Sequence, residues 1–379
     1  MISKIKNWVF IDVLYILIAL SFSVYNFQNR EYDWDLPGYL GCLFESENPG
    51  NLEKIKNETY ISIRKEASPK QFDNLVDASE HRKILYKKAD AFYEQLPYFQ
   101  VKIGYNLLVR AFYFVGFSAP YSVLFLNSVL FFISIIFFYF SLKAIYSGYP
   151  FFVFFVSILF SSLPVLHYLS RIASPDILLV LLLLVFANFV INNKKPIYVF
   201  FIIFLIVFSR PDYVIFGLSF YFSKIIYEFV LEKKLNRDNF IYIILIGLVY
   251  FLIIKYYNYP GWKHVFYDSF IYRRAYISGQ SPEFSFKTYV NIVLKGIVNM
   301  KKITLISLFF VIWILFFGKN LWIKEVALLL FFNIYLKFLF FPAAGEYRFY
   351  LPFILSLFLL FIFELKNNNF IRNKILKLN

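Results

Sequence analysis

The sequence predicts an all-α, polytopic helical membrane protein of about ten spans, built as a single membrane domain over residues 1–379. Three observations predict it. Hydrophobic residues make up 60% of the 379 and aromatic residues 23%, against an apolar share near half in ordinary soluble domains. Several runs approach the roughly 20 apolar residues needed to cross about 30 Å of hydrocarbon. The net charge of +15 falls in clusters between those runs, as cytoplasmic loops require, so it is no nucleic-acid footprint. One cysteine, Cys42, excludes an internal disulfide framework, and His81, His167 and His264 show no ligand spacing for zinc.

The first apolar run, Trp8 to Phe27, follows Lys4 and Lys6 and lacks a small-x-small cleavage site, which predicts a retained anchor. Residues 28–100 are polar and read as a helical loop on the outer face. Ser68-Pro69 supplies a cap and a first-turn proline for one helix, and Ile84, Leu85, Ala89 and Phe92 recur at helical spacing over His81 to Tyr93. Gln100 to Phe117 is apolar on one side but carries Lys102 and Arg110, so it either crosses or lies in the interface. Clearer runs follow at about 119–141, 150–169, 175–192, 196–209, 211–230, 239–257, 302–318, 325–341 and 349–365. Between them a second outer loop, 258–302, includes an amphipathic piece from Phe286 to Val298.

Charge asymmetry decides the ambiguous segment. With Gln100 to Phe117 kept outside and Met1 inside, fifteen Lys and Arg residues fall on the cytoplasmic side, the tail residues Arg372, Lys374 and Lys377 among them. The short outer turns keep Arg171, Arg210 and Arg348. If the segment crosses, every later basic cluster flips outward, against the positive-inside rule. The resulting topology of ten spans with both termini inside brings Asp33/Asp35, Arg171/Asp176, Arg210/Asp212, the 258–302 loop and Glu346/Arg348 to one face.

Each charged motif there has two readings. Asp33-Trp34-Asp35 is either an interfacial loop with its aromatics at headgroup level or a catalytic or metal-binding pair. In Ser170-Arg171-Ile172-Ala173-Ser174-Pro175-Asp176, Ser174 caps the next helix, with Pro175 at its first position and Asp176 favouring its positive end, or Arg171 holds a phosphate. Ser209-Arg210-Pro211-Asp212 breaks two short runs, as irregular backbone does where it lines a cavity. Glu346 and Arg348 pair with each other, or Arg348 contacts a phosphate. Lys263, His264, Arg273 and Arg274 face headgroups or a phosphate-bearing donor, and Lys255 and Lys337 read as cations snorkelling from span ends.

In this order the motifs resemble the GT-C membrane glycosyltransferases, of the protein O-mannosyltransferase and lipid A aminoarabinose transferase type. The likeness rests on Asp33-Trp34-Asp35 after the first span, the Arg171…Asp176 turn, the Ser209-Arg210-Pro211 break, and Glu346-Tyr347-Arg348-Phe349-Tyr350-Leu351-Pro352 before the last span. It departs at Leu96-Pro97-Tyr98-Phe99, where the family usually reads Lys-Pro-Pro-Leu. The resemblance implies an inverting hexosyl- or pentosyltransferase of a bacterial inner membrane, active on the periplasmic side. Its donor would be a sugar on polyprenyl phosphate, and its acceptor an envelope glycan, lipid or protein. It implies Asp35 or Asp33 as the general base, and Arg171, Arg210, Arg348, Lys263 and His264 as donor-phosphate contacts. Members differ in metal use; a divalent cation here would fall to Asp33 and Asp35. A lipid-linked saccharide transporter or flippase is the rival from another class, though no internal repeat supports it. A polysaccharide polymerase is the nearer rival, depending on Arg273 and Arg274 more than on Asp35.

Overall fold

The computed structural model describes residues 2–279, 283–343 and 345–368. The tail cations Arg372, Lys374 and Lys377 lie outside the described residues, as do the side chains of Lys4 and Lys6. Among the described residues every regular element is helical. The first long helix, α1 (Ile2–Gln28), leads into a run of short ones: α2 (Leu36–Glu47), α3 (Leu52–Glu66), α4 (Pro69–Asp77), α5 (Glu80–Lys87), α6 (Ala89–Gln95), α7 (Pro97–Gln100) and α8 (Ile103–Phe114). The bundle proper continues with α9 (Ala119–Ile145), α10 (Pro150–Ser161), α11 (Pro164–Arg171), α12 (Asp176–Ile191), α13 (Pro196–Ser209), α14 (Val214–Tyr227) and α15 (Arg237–Tyr256). Then come α16 (Trp262–Phe270), α17 (Phe286–Asn299), α18 (Lys301–Phe317), α19 (Leu321–Phe340) and α20 (Leu351–Asn367).

Local chemistry sets many of these boundaries. Ser68 accepts from the Gln71 amide and Gln71 answers to the Ser68 amide, a reciprocal cap that fixes the start of α4. Proline stands in the first turn of α7, α9, α10, α11, α13 and α20, where its missing N–H costs nothing. The helix expected over His81 to Tyr93 is two helices: Lys88 takes an extended conformation and separates α5 from α6. The run expected at 150–169 is likewise broken. Pro164 has no N–H to continue the ladder, and α10 and α11 meet at 54°.

Among the described residues four helical segments are long and apolar enough to cross a membrane: Trp8–Gln28, Ala119–Ile145, Pro211–Leu231 and Arg237–Tyr256. The number reaches six if the bent pairs α10/α11 and α17/α18, the latter at 67°, each count as one span. This is fewer than the ten expected, for two reasons. The apolar helices α12, α13 and α20 have 16, 14 and 17 residues, about 21–26 Å at the α-helical rise, short of the roughly 30 Å of hydrocarbon on their helical residues alone. In addition, α19 carries Lys324, Glu325 and Lys337. Helix α8, at 12 residues, is about 18 Å long, too short to cross alone.

The Leu-rich α12 is apolar on every side and buried along most of its length, as a central helix should be. It packs against α9, α13 and α20, and Ser356 of α20 donates to its Leu183 carbonyl at 3.0 Å. The trailing ends of α15 and α19, the leading ends of α12, α14 and α20 and the break after α13 contribute to one cavity, and helices of the 28–100 and 258–302 segments complete its walls. On that side α2 lies close against α7: a Cβ on Gly38 would overlap the Phe99 ring, and one on Gly41 would meet Leu96 and Phe92. That close approach seats the start of α2, and with it Asp35, at the cavity.

Candidate active site

The cavity has a volume of about 600 Å³, within the range of small-molecule sites. Its acid–base content begins with the two aspartates before α2, which have different surroundings. Asp33 accepts from the Ala173 amide at 3.0 Å and does not line the cavity. Asn127 of α9 donates to the carbonyls of Ile172 at 2.5 Å and Ser174 at 3.1 Å, and receives Tyr105 at 2.9 Å. Asp33 and Asn127 together pin the turn that opens α12. Burial, and then the adjacent Asp35 carboxylate, raise the Asp33 pKa above the usual carboxylate range. Asp35 does line the cavity, with Oδ2 3.8 Å from Arg348 Nη1. The expected pair of bases thus divides into one structural acid and one exposed to the site.

From Asp35 an alternating series of charges follows the helix ends. Arg348 Nε lies 2.6 Å from Glu346 and 4.0 Å from Asp176. Asp176, 1% exposed, pairs with Arg210. Arg210 also holds Asp212 at 3.1 Å, and the other oxygen of Asp212 lies 3.1 Å from Lys337 Nζ. Ser174 is not the N-cap expected: α12 starts at Asp176 with Pro175 as N-cap and no side-chain cap hydrogen bond, so only the acid in the first turn is as expected. Ser174 instead donates to the Asp176 carboxylate at 2.7 Å, and Asp176 is the hub of a tertiary ion network. Of the two readings of Glu346/Arg348 the pairing is present, and Arg348 also reaches Asp35. Lys337 is no snorkelling cation. It is 9% exposed, sits 3.6 Å from the Tyr213 ring centroid and points into the cavity network.

Three residues assigned to the phosphate contacts lie elsewhere. Arg171 turns back onto α1, stacking on Tyr25 and donating to Asn26 at 3.3 Å. Lys263 is exposed near Phe284, and His264 Nδ1 faces Arg274 at 3.1 Å. None of the three lines the cavity. Four cations that do line it were given no role there, or only an alternative one: Arg82, Lys102, Lys337 and Arg273. Lys102 Nζ donates to Tyr39 at 2.9 Å and lies between the Tyr39 and Phe99 rings, and burial lowers its pKa to about 8.

Among the described residues no group of three or more His, Cys, Asp or Glu side chains is placed to hold a metal ion. Asp33 Oδ1 accepts from Ala173, and only Asp35 of the two lines the cavity. Comparison with models of known protein families, with curated proteins and with solved structures gave no match. The cavity presents Asp35 facing Arg348, further acids and cations alternating along the helix ends, and aromatic walls that include Trp34, Tyr98, Tyr259 and Trp262. Such a set suits an anionic leaving group beside a polar, hydroxyl-bearing substrate.

Proposed function

We propose that the chain is a membrane glycosyltransferase of the GT-C type, moving a sugar from a polyprenyl-phosphate donor to an envelope glycan, lipid or protein acceptor. The observation that carries this reading is the convergence of Asp35 with Arg348, Arg210, Lys102 and Lys337 on one aromatic-walled cavity at the helix ends. In the reaction the acceptor hydroxyl oxygen attacks the anomeric carbon while its proton passes to the Asp35 carboxylate. The bond from that carbon to the phosphate oxygen breaks with inversion, and the electron pair leaves with the lipid phosphate. Arg348, Arg210 and Lys102 stabilise the charge that develops, and the surrounding rings keep water from competing. Incubation of the purified chain with a labelled polyprenyl-phosphate sugar tests this directly. Release of polyprenyl phosphate with label on an acceptor is the expected result, and translocation of intact donor without its consumption identifies a flippase instead. The polymerase reading gains one specific support, Arg273 at the cavity. It predicts that Arg273→Ala outweighs Asp35→Asn in lost product.

In this reading ten helical segments, α10 with α11 counted as one, cross an inner membrane with both termini inside, and α8 lies on the outer face. Cys42 is buried, so added thiols report cleanly. In intact cells Lys87→Cys is expected to react with an impermeant maleimide, and Lys194→Cys only after lysis. The opposite pattern inverts the map.

The Lys102 ammonium gives a pH signature. Its pKa in the fold is lowered from 10.5 to about 8 by burial, with Asp35 opposing. Its charge is therefore complete below that value and lost as pH rises through it. Transfer is expected to decline as pH passes about 8, and Lys102→Arg to carry the decline to higher pH. A rate–pH profile unchanged by Lys102→Arg removes Lys102 from the phosphate site.

A further inference from the structure

Arg273 and Arg274 are consecutive, yet their guanidinium groups meet opposite surroundings. Arg274 is buried and its charge is taken by Asp268, with Nε 2.7 Å from Oδ1 and Nη2 3.0 Å from Oδ2. Arg273 is exposed at the cavity mouth with its guanidinium carbon 3.7 Å from the Trp34 ring centroid. No described carboxylate comes within 4.0 Å of it. Arg82 lines the same cavity; it donates to the Asn74 carbonyl at 2.9 Å and also has no carboxylate partner among the described residues. Beside them His81 carries a buried Nε2 without a hydrogen-bond partner among the described residues. Elsewhere in the cavity the arginines are already neutralised by the fold, Arg348 by Asp35 and Glu346, and Arg210 by Asp176 and Asp212.

We infer that Arg82 and Arg273, with His81, form a subsite for the acidic group of an acceptor saccharide, a carboxylate such as that of a uronic acid. This rests on the transferase reading above and names its second substrate. Two features assign the subsite to the acceptor. Arg82 and Arg273 come from the two polar segments, 29–100 and 258–302, whereas a lipid-borne donor delivers its phosphate to the helix ends that carry Arg210 and Lys337. Stacking on Trp34 fixes the Arg273 plane, and a guanidinium fork so held matches a planar carboxylate. The neighbouring aromatic walls suit the apolar face of a sugar ring.

The test uses the purified full chain in detergent and three probes: D-glucuronate, D-glucose as its neutral counterpart, and inorganic phosphate. Binding is read by thermal stabilisation over a concentration series. Glucuronate is expected to act at concentrations about tenfold or more below those of glucose, the usual worth of a charge-assisted hydrogen bond. Arg273→Ala and Arg82→Ala should each erase that preference, Arg273→Lys should retain part of it, and Lys102→Ala should leave it intact. Unfolding of each variant without sugar is measured alongside, and Arg273→Lys serves as the conservative control on folding. The proposal is overturned if glucuronate and glucose act alike or if the preference survives both alanine variants. It is overturned equally if only inorganic phosphate stabilises and Lys102→Ala abolishes that effect, which assigns the anion to the donor. Sugar binding needs no turnover, so the two readings fail separately. Translocation of intact donor without its consumption sinks the transferase reading, whereas a missing glucuronate preference sinks this one.

Discussion

Asp35→Asn is expected to lower sugar transfer by about 10²- to 10⁴-fold, the range spanned by general-base catalysis, with little change in folding. The expectation of intact folding comes from what Asp35 does not do. It stands at the N-cap of α2 but its side chain makes no cap hydrogen bond. Its one ion contact, to Arg348, is long at 3.8 Å, and Arg348 keeps Glu346 at 2.6 Å when Asp35 loses its charge. Asp33→Asn supplies the contrast. The amide oxygen of Asn still accepts from Ala173, so the turn before α12 holds and transfer is expected to remain near the wild-type rate. Asp33→Ala leaves that buried amide without its acceptor and should cost about 1–3 kcal/mol of stability. Rates from labelled donor, with unfolding midpoints measured on the same preparations, separate the two roles. Loss of transfer in Asp33→Asn with full activity in Asp35→Asn reverses the assignment of the base.

The apolar runs and their punctuation made most of the helices legible. Periodicity located α12 and α20 within a residue or two, and the Ser68-Pro69 cap marks the start of α4 as expected. Long-range partnership was not legible. Arg171 and Arg210 look alike in sequence, each shortly ahead of a proline and an aspartate. Arg171 ends α11, which packs on α1, so its side chain meets Tyr25 and Asn26. Arg210 occupies an extended break between α13 and the 3₁₀ turn Pro211–Tyr213, and faces Asp176 across the cavity. Lys337 sits among Tyr335, Leu336 and Phe338 and reads as a span-end cation, because its partner Asp212 belongs to another helix. Arg273 and Arg274 read as one basic pair. Only Asp268, five and six residues earlier, divides them, by capturing the second and leaving the first to Trp34. Layout is thus written locally, whereas the charge balance of the cavity depends on which helix ends meet.

That dependence gives the second large effect, at the Arg210–Asp176 pair. Arg210→Ala is expected to destabilise the chain by about 3–5 kcal/mol, because breaking a buried pair from one side leaves the other charge uncompensated. Asp176 is 1% exposed, and its remaining contacts are the Ser174 hydroxyl at 2.7 Å and Arg348 at 4.0 Å. Neither replaces a guanidinium in direct contact. Removing both charges in Arg210→Met/Asp176→Leu should recover most of the lost stability, since an apolar pair of similar volume avoids the desolvation cost that an ion pair must offset. Transfer behaves differently if Arg210 also stabilises the departing phosphate: the double variant folds but stays slow, since its recovered packing supplies no positive charge at the helix break. Thermal unfolding in detergent and donor turnover, measured across the full double-mutant cycle, divide the structural from the electrostatic contribution of Arg210. A double variant that regains both stability and turnover makes the pair a brace for the α12 and α14 ends, and the leaving phosphate then falls to Arg348 and Lys102.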